Sequence, residues 1–135
     1  MNNHSYNYIA HGGYSMVLNE ELIIKMGDML RIASDPTRIK IMLCLLDEGK
    51  CECNCRALGE CSKCECLSCM IEKKVNDIVL ETNCSQSLIS HQLKTLKDAD
   101  FVRTRKEGTS VYYSLKDGHV KELLSMVINH IKEEK

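Results

Sequence analysis

Apolar residues along the chain fall into blocks of different period. From Asn19 the spacing is helical: Leu22, Met26, Met29, Leu30 and Ala33 repeat at intervals of three and four. Asn19 is a suitable N-cap, and Glu20 and Glu21 suit the positive end of the helix dipole. A second helix is predicted from Asp35-Pro36-Thr37, with Asp as cap and Pro in the first turn. Ile39, Met42, Leu43 and Leu46 are expected on its inner face, and Gly49 at its stop. Helical spacing returns near Lys73 with Val75, Ile78 and Val79, and Asn83-Cys84 reads as a turn. The next helix starts at Ser85, with Leu88, Ile89, Leu93 and Leu96 expected inside.

After Asp100 the period changes to two. Residues 101–105 and 110–115 are predicted strands, joined by a Lys106-Glu107-Gly108-Thr109 turn in which Gly108 supplies positive φ. A last helix is expected from Asp117 to Glu134, with Val120, Leu123, Leu124, Val127 and Ile131 on one face. Three helices, a recognition-type helix, a hairpin and a closing helix define a winged helix-turn-helix, mainly α with a β-hairpin wing. Residues 1–17 are polar and read as a flexible arm. Residues 18–135 form the domain, and residues 50–70 interrupt it without periodicity.

With 135 residues the chain has room for one domain. The longest apolar run, Ile41–Leu46, is six residues, far short of the roughly 20 that a membrane helix needs. No basic region followed by an apolar stretch marks an export signal, so a cytoplasmic protein is expected. The net charge of −1 hides an asymmetry: residues 85–116 carry six cations against three anions. That local excess suits phosphate.

Nine cysteines are the compositional outlier, seven of them between Cys51 and Cys69. An odd number without an export signal argues against a disulfide framework. Cys51, Cys53, Cys55, Cys61, Cys64, Cys66 and Cys69 read instead as thiolate ligands for a soft or borderline ion such as Zn²⁺, Cd²⁺ or Pb²⁺. Cys44 lies in an apolar helix and is expected in the core. Cys84 precedes the recognition helix.

The stretch CSQSLISHQLKTLKDADFVRTRKEGTSVYYSL resembles the DNA-reading half of the ArsR/SmtB metal-sensing repressors, and ASDPTRIKIMLCLL is similar to their second helix. The resemblance covers roughly residues 18–133, apart from 50–70. It implies a homodimer that represses transcription on double-stranded operator DNA and is released by a metal ion.

The residues agree with that implication. Gln86, Ser87, Ser90 and His91 form a polar helix face able to approach base edges. Lys94 suits a phosphate, and Arg103, Arg105 and Lys106 on the hairpin suit the backbone beside the groove. The alternative is a solvated helix face and an ordinary charged hairpin.

Asp117, His119, His130 and Glu133 are ligands suited to Zn²⁺. The histidines are eleven positions apart, close to three turns, so they share a face. Their backbones are about 16 Å apart, too far for one ion in one chain. Two antiparallel copies of the helix across a two-fold axis bring Asp117 and His119 of one chain to His130 and Glu133 of the other, giving two equivalent sites. The set resembles the family's zinc site on its C-terminal helix. The family's other site, a Cys-x-Cys pair at the start of the helix before the recognition helix, has no counterpart within KKVNDIVLETN.

Two further readings compete with a metal-responsive repressor. One makes the cysteine block an oxidation sensor; the other makes the chain a metallothionein-like buffer. No phosphate-binding glycine loop or nucleophile elbow points to an enzyme.

Overall fold

The computed structural model describes residues 6–9, 15–18, 20–46 and 71–133. They fall into two units, Met1–Asp35 and Pro36–Lys135. The first holds β1 (Tyr6–Ile9) and β2 (Ser15–Leu18), paired antiparallel, and helix α1 (Glu20–Ala33). Strands occur where a polar arm was expected: Tyr6 pairs with Leu18, Asn7 with Val17, Tyr8 with Met16 and Ile9 with Ser15, and Tyr, Ile and Val all favour strands. Helix α1 begins on its two glutamates as predicted, and none of its residues is buried.

The second unit contains α2 (Pro36–Cys44), α3 (Val75–Thr82), α4 (Gln86–Asp98), β3 (Val102–Glu107), β4 (Ser110–Leu115) and α5 (Gly118–Glu133). Its core is built from Ile41, Met42, Leu45 and Leu46 around α2, Ile78 of α3, and Ile89, Leu93 and Leu96 of α4. Phe101, Val102 and Leu115 from the root of the hairpin complete it, with Val120 at the start of α5. Each large apolar side chain buried in this way contributes about 1.5–3 kcal/mol.

Two expected core faces are corrected. On α2, Ile39 and Leu43 are exposed, and Ile41 and Leu45 take the inner positions beside Met42 and Leu46. The run Ile39-Lys40-Ile41-Met42-Leu43-Cys44-Leu45-Leu46 is apolar almost all round, so periodicity alone does not choose a side. On α4, Leu88 is exposed because it lies about 100° from the line of Ile89, Leu93 and Leu96. Helix α2 ends at Cys44. Gly49, its expected stop, and the cysteine block from Cys51 to Cys69 lie outside the described residues.

The turns that orient α4 have local causes. Asn83 closes α3 in the left-handed conformation, φ 55°, which Asn tolerates, and its N–H donates to the Val79 carbonyl. Ser85 then caps α4, its Oγ accepting from the Leu88 N–H at 3.3 Å. At the far end Asp100 takes φ 60°. Its N–H donates to the Lys97 carbonyl, and the Phe101 N–H donates to that of Leu96, a Schellman ending with Asp in the usual glycine place. Phe101 and Leu96 are both buried there. The hairpin pairs Val102 with Leu115 through Glu107 with Ser110. Gly108 turns it at φ 60°. β4 also bridges on its other edge to Lys73, which exchanges backbone hydrogen bonds with Tyr113 at 2.9 and 2.8 Å.

Candidate nucleic-acid interface and metal half-site

Burying Ile89, Leu93 and Leu96 turns the opposite side of α4 to solvent. Gln86, Ser87, Ser90, His91, Lys94 and Lys97 are all exposed on it. This is the polar face the sequence predicted, on a capped helix held by a buried underside. Gln92, on the flank, accepts a 2.6 Å hydrogen bond from Arg38 Nε and ties α4 to α2.

The three hairpin cations have different surroundings. Lys106 is exposed near the turn. Arg103 is half-buried and runs along the sheet, its Nε donating to Ser114 Oγ at 3.2 Å. Its Nη2 is buried without a hydrogen-bond partner among the described residues. Arg105 is held by carboxylates on every side. Nε and Nη2 meet Glu72 Oε2 at 2.8 and 2.7 Å, and Nη1 meets Glu107 at 2.9 Å. Those hydrogen bonds raise its already high pKa, Glu72 contributing most. The same guanidinium stacks over Tyr112, 4.8 Å from the ring centre, and Lys74 also lies over that ring at 5.4 Å. Glu72, Lys74 and Tyr112 were not singled out from the sequence. The charged Glu72-Lys73-Lys74 run gives no strand signal, and Arg105 is 33 positions away from Glu72.

At the foot of α5, Asp117 Oδ1 accepts from the Val120 N–H at 3.1 Å and so caps the helix. Its Oδ2 lies 3.6 Å from His119 Nδ1, and the His119 side chain is 87% exposed. One chain therefore brings two of the four expected metal ligands together and presents them outward. His130 and Glu133 are exposed near the other end of the same helix. Among the described residues, no three His, Cys, Asp or Glu side chains meet in a single chain. Three turns of helix between the two pairs require that separation. The donors are of the right chemistry for Zn²⁺.

Among the described residues, Cys44 and Cys84 carry free thiols, both half-buried. Cys44 is thus at the rim of the core rather than inside it. It lines a shallow groove with Lys40, Leu43, Glu81 and Thr82. Burial and a hydrogen bond to Glu81 push its thiol pKa up. Glu81 is held by Lys73 at 2.7 Å, which keeps its carboxyl below the usual range. Cys84 Sγ donates to the Thr82 carbonyl at 3.5 Å, just ahead of the α4 cap.

A short helix, a left-handed turn, a capped helix with a polar outer face, and a hairpin packed at its end define a winged helix-turn-helix DNA-binding regulator. Residues 69–104 match the bacterial regulatory protein family named for arsR. The chain is 32% identical over 105 residues to a cadmium resistance transcriptional regulatory protein CadC homolog from Staphylococcus aureus, covering 78% of this chain and 69% of that one. It is 28% identical over 109 residues to a transcriptional repressor SmtB homolog from Synechocystis, covering 81% of this chain and 65% of that one. A homodimeric winged helix-turn-helix domain from Mycobacterium bovis shares the fold, with a TM-score of 0.62, 22% identity and 84% of each chain covered. The chain belongs to the ArsR family. Among the described residues no helix is long and apolar enough to cross a membrane.

Proposed function

We propose that this chain is a metal-responsive transcriptional repressor acting in the cytoplasm. It binds operator DNA as a homodimer and is released by Zn²⁺ or a softer ion such as Cd²⁺ or Pb²⁺. The observation that carries the DNA half of this reading is α4: its inner side is fully buried, and Gln86, Ser87, Ser90, His91 and Lys94 stand exposed on the outer side. Gln86, Ser87, Ser90 and His91 are of a size and polarity to reach base edges in a major groove, and Lys94 and Lys106 to neutralise phosphates.

The metal half rests on α5. Asp117 and His119 form one half-site and His130 and Glu133 the other, and a second chain in antiparallel register supplies what each lacks. Leu123, Val127 and Ile131 are 38%, 50% and 57% exposed in the single chain. An apolar stripe of that kind on a helix is what a dimer contact buries. Zinc held between two α5 helices favours one arrangement of the dimer. It weakens DNA binding by the difference in its affinity for the DNA-fitting arrangement and for the other.

The seven cysteines from Cys51 to Cys69 form a second, thiolate site for soft ions. The names of the Staphylococcus and Synechocystis relatives, a cadmium resistance regulator and a repressor, accord with this reading.

The test begins with selection of duplexes by the reduced apo-protein from a random DNA pool. Affinity for the selected duplex is then measured with and without Zn²⁺ and Cd²⁺. At least a tenfold weakening by one of the ions is expected. Selective DNA binding that neither ion changes would sink the metal-responsive reading.

A further inference from the structure

The first turn of α4 stands clear of the core. Ser85, Gln86, Ser87 and Leu88 are exposed in succession before Ile89 turns inward. Three of the four are polar, as a face that meets base edges needs to be. Leu88 is apolar, and 38% of it is open to solvent. Polar atoms around it are already engaged. Ser85 Oγ accepts from the Leu88 N–H at 3.3 Å and lies 3.4 Å from Ser87 Oγ. Gln92, one turn further along the same flank, accepts from Arg38 Nε at 2.6 Å and is tied to α2. His91, the other neighbour at helical spacing, is exposed. Leu88 is therefore an apolar spot in a polar surface, beside the residues suited to approach bases.

We propose that Leu88 is a specificity-determining residue of the DNA interface, and that in each half-site its side chain packs on the 5-methyl group of one thymine. The proposal rests on the reading of α4 as the helix that enters the major groove. The first turn of such a helix is the part that meets base edges. The four bases differ in what they present there: thymine alone carries a methyl group, adenine and cytosine present an amino donor, and guanine presents two acceptors. An amino group set against Leu88 loses water and gains no partner, which disfavours adenine and cytosine. A thymine methyl group and the leucine side chain leave water together. Gln86, Ser87, Ser90 and His91 discriminate by hydrogen bonds, so Leu88 adds a preference that none of them supplies.

The test uses the full chain, reduced and without metal, and the duplex it selects from a random pool. Each thymine of one half-site, together with its two-fold mate, is replaced in turn by uracil. That exchange removes the methyl group and keeps the base pair. For the wild type, one such exchange should weaken binding by about ten- to twentyfold, roughly three- to fivefold for each buried methyl group lost. Leu88→Ala should bind the thymine duplex at least as weakly as the wild type binds that uracil duplex. It should then be indifferent, within about twofold, to the same exchange. Its thermal unfolding should match the wild type, since the residue lies outside the core.

Selection repeated with Leu88→Gln gives a second readout. Glutamine favours adenine through its N6 and N7, so thymine should no longer be returned at that one position, with the rest of the sequence unchanged. A selected duplex in which no thymine-to-uracil exchange weakens wild-type binding overturns the assignment. So does a thymine whose exchange weakens the wild type and Leu88→Ala equally, because another residue then reads its methyl group. A wild type that selects no duplex at all overturns the reading of α4 itself, and the assignment with it.

Discussion

The DNA-facing elements and the closing helix differ in what a single chain can finish. The helix-turn-helix and its wing are complete in one chain: Ile89, Leu93, Leu96, Phe101 and Leu115 are buried, both ends of α4 are capped, and the outer edge of β4 is bridged by Lys73. Helix α5 is half of something. Only Gly118 and Val120 are buried, its apolar stripe is open, and its four proposed metal ligands lie toward its two ends. Reading DNA needs a rigid surface, which one core supplies. A metal response needs an equilibrium between arrangements, and a site shared by two chains gives the ion a hold on that arrangement.

The largest expected effect is in the core. Phe101→Ala should cost about 3–5 kcal/mol of unfolding free energy, read by denaturant titration. It removes the side chain that closes the Schellman ending of α4, so the recognition helix should lose its fixed direction along with stability. On α5 the expected effect is on association. Val127→Asp puts a carboxylate in the apolar stripe and should weaken the dimer by about a hundredfold or more. Sedimentation would show monomers, and circular dichroism would show the helix content retained. Loss of helix content instead would mean that Val127 belongs to the chain's own core. The smallest effect is on the surface of α4. Lys94→Gln should weaken DNA binding and lower the salt slope by about one, with folding unchanged.

Much of this was legible in the sequence because it depends on local chemistry. Pro36 starts α2, Asn83 and Ser85 make the turn and cap, and Gly108 turns the hairpin, each by its own conformational preference. The pairing of Asp117 with His119 follows from their separation by one residue at a helix start. What the sequence misplaced depends on distant partners. The inner side of α2 is set by what packs on it, so Ile41 and Leu45 displaced Ile39 and Leu43. The carboxylate clamp on Arg105 was not legible because it comes from Glu72, 33 residues upstream, as well as from the neighbouring Glu107. Lys73 gave no strand signal because it makes a single bridge on an edge that β4 provides. Cys44 was expected in the core because its helix is apolar; the groove beside Glu81 keeps it at the rim.

A zinc site shared between two α5 helices needs one pair of ligands from each chain. Complementation tests it. One chain carries Asp117→Ala with His119→Ala, the other His130→Ala with Glu133→Ala, and the two are co-expressed with different tags and purified as a heterodimer. Neither homodimer has a complete site, but the heterodimer joins one intact pair from each chain. With the thiols alkylated, zinc titration should find no tight site in either homodimer and one per heterodimer. A heterodimer that binds no more zinc than the homodimers would contradict the shared site.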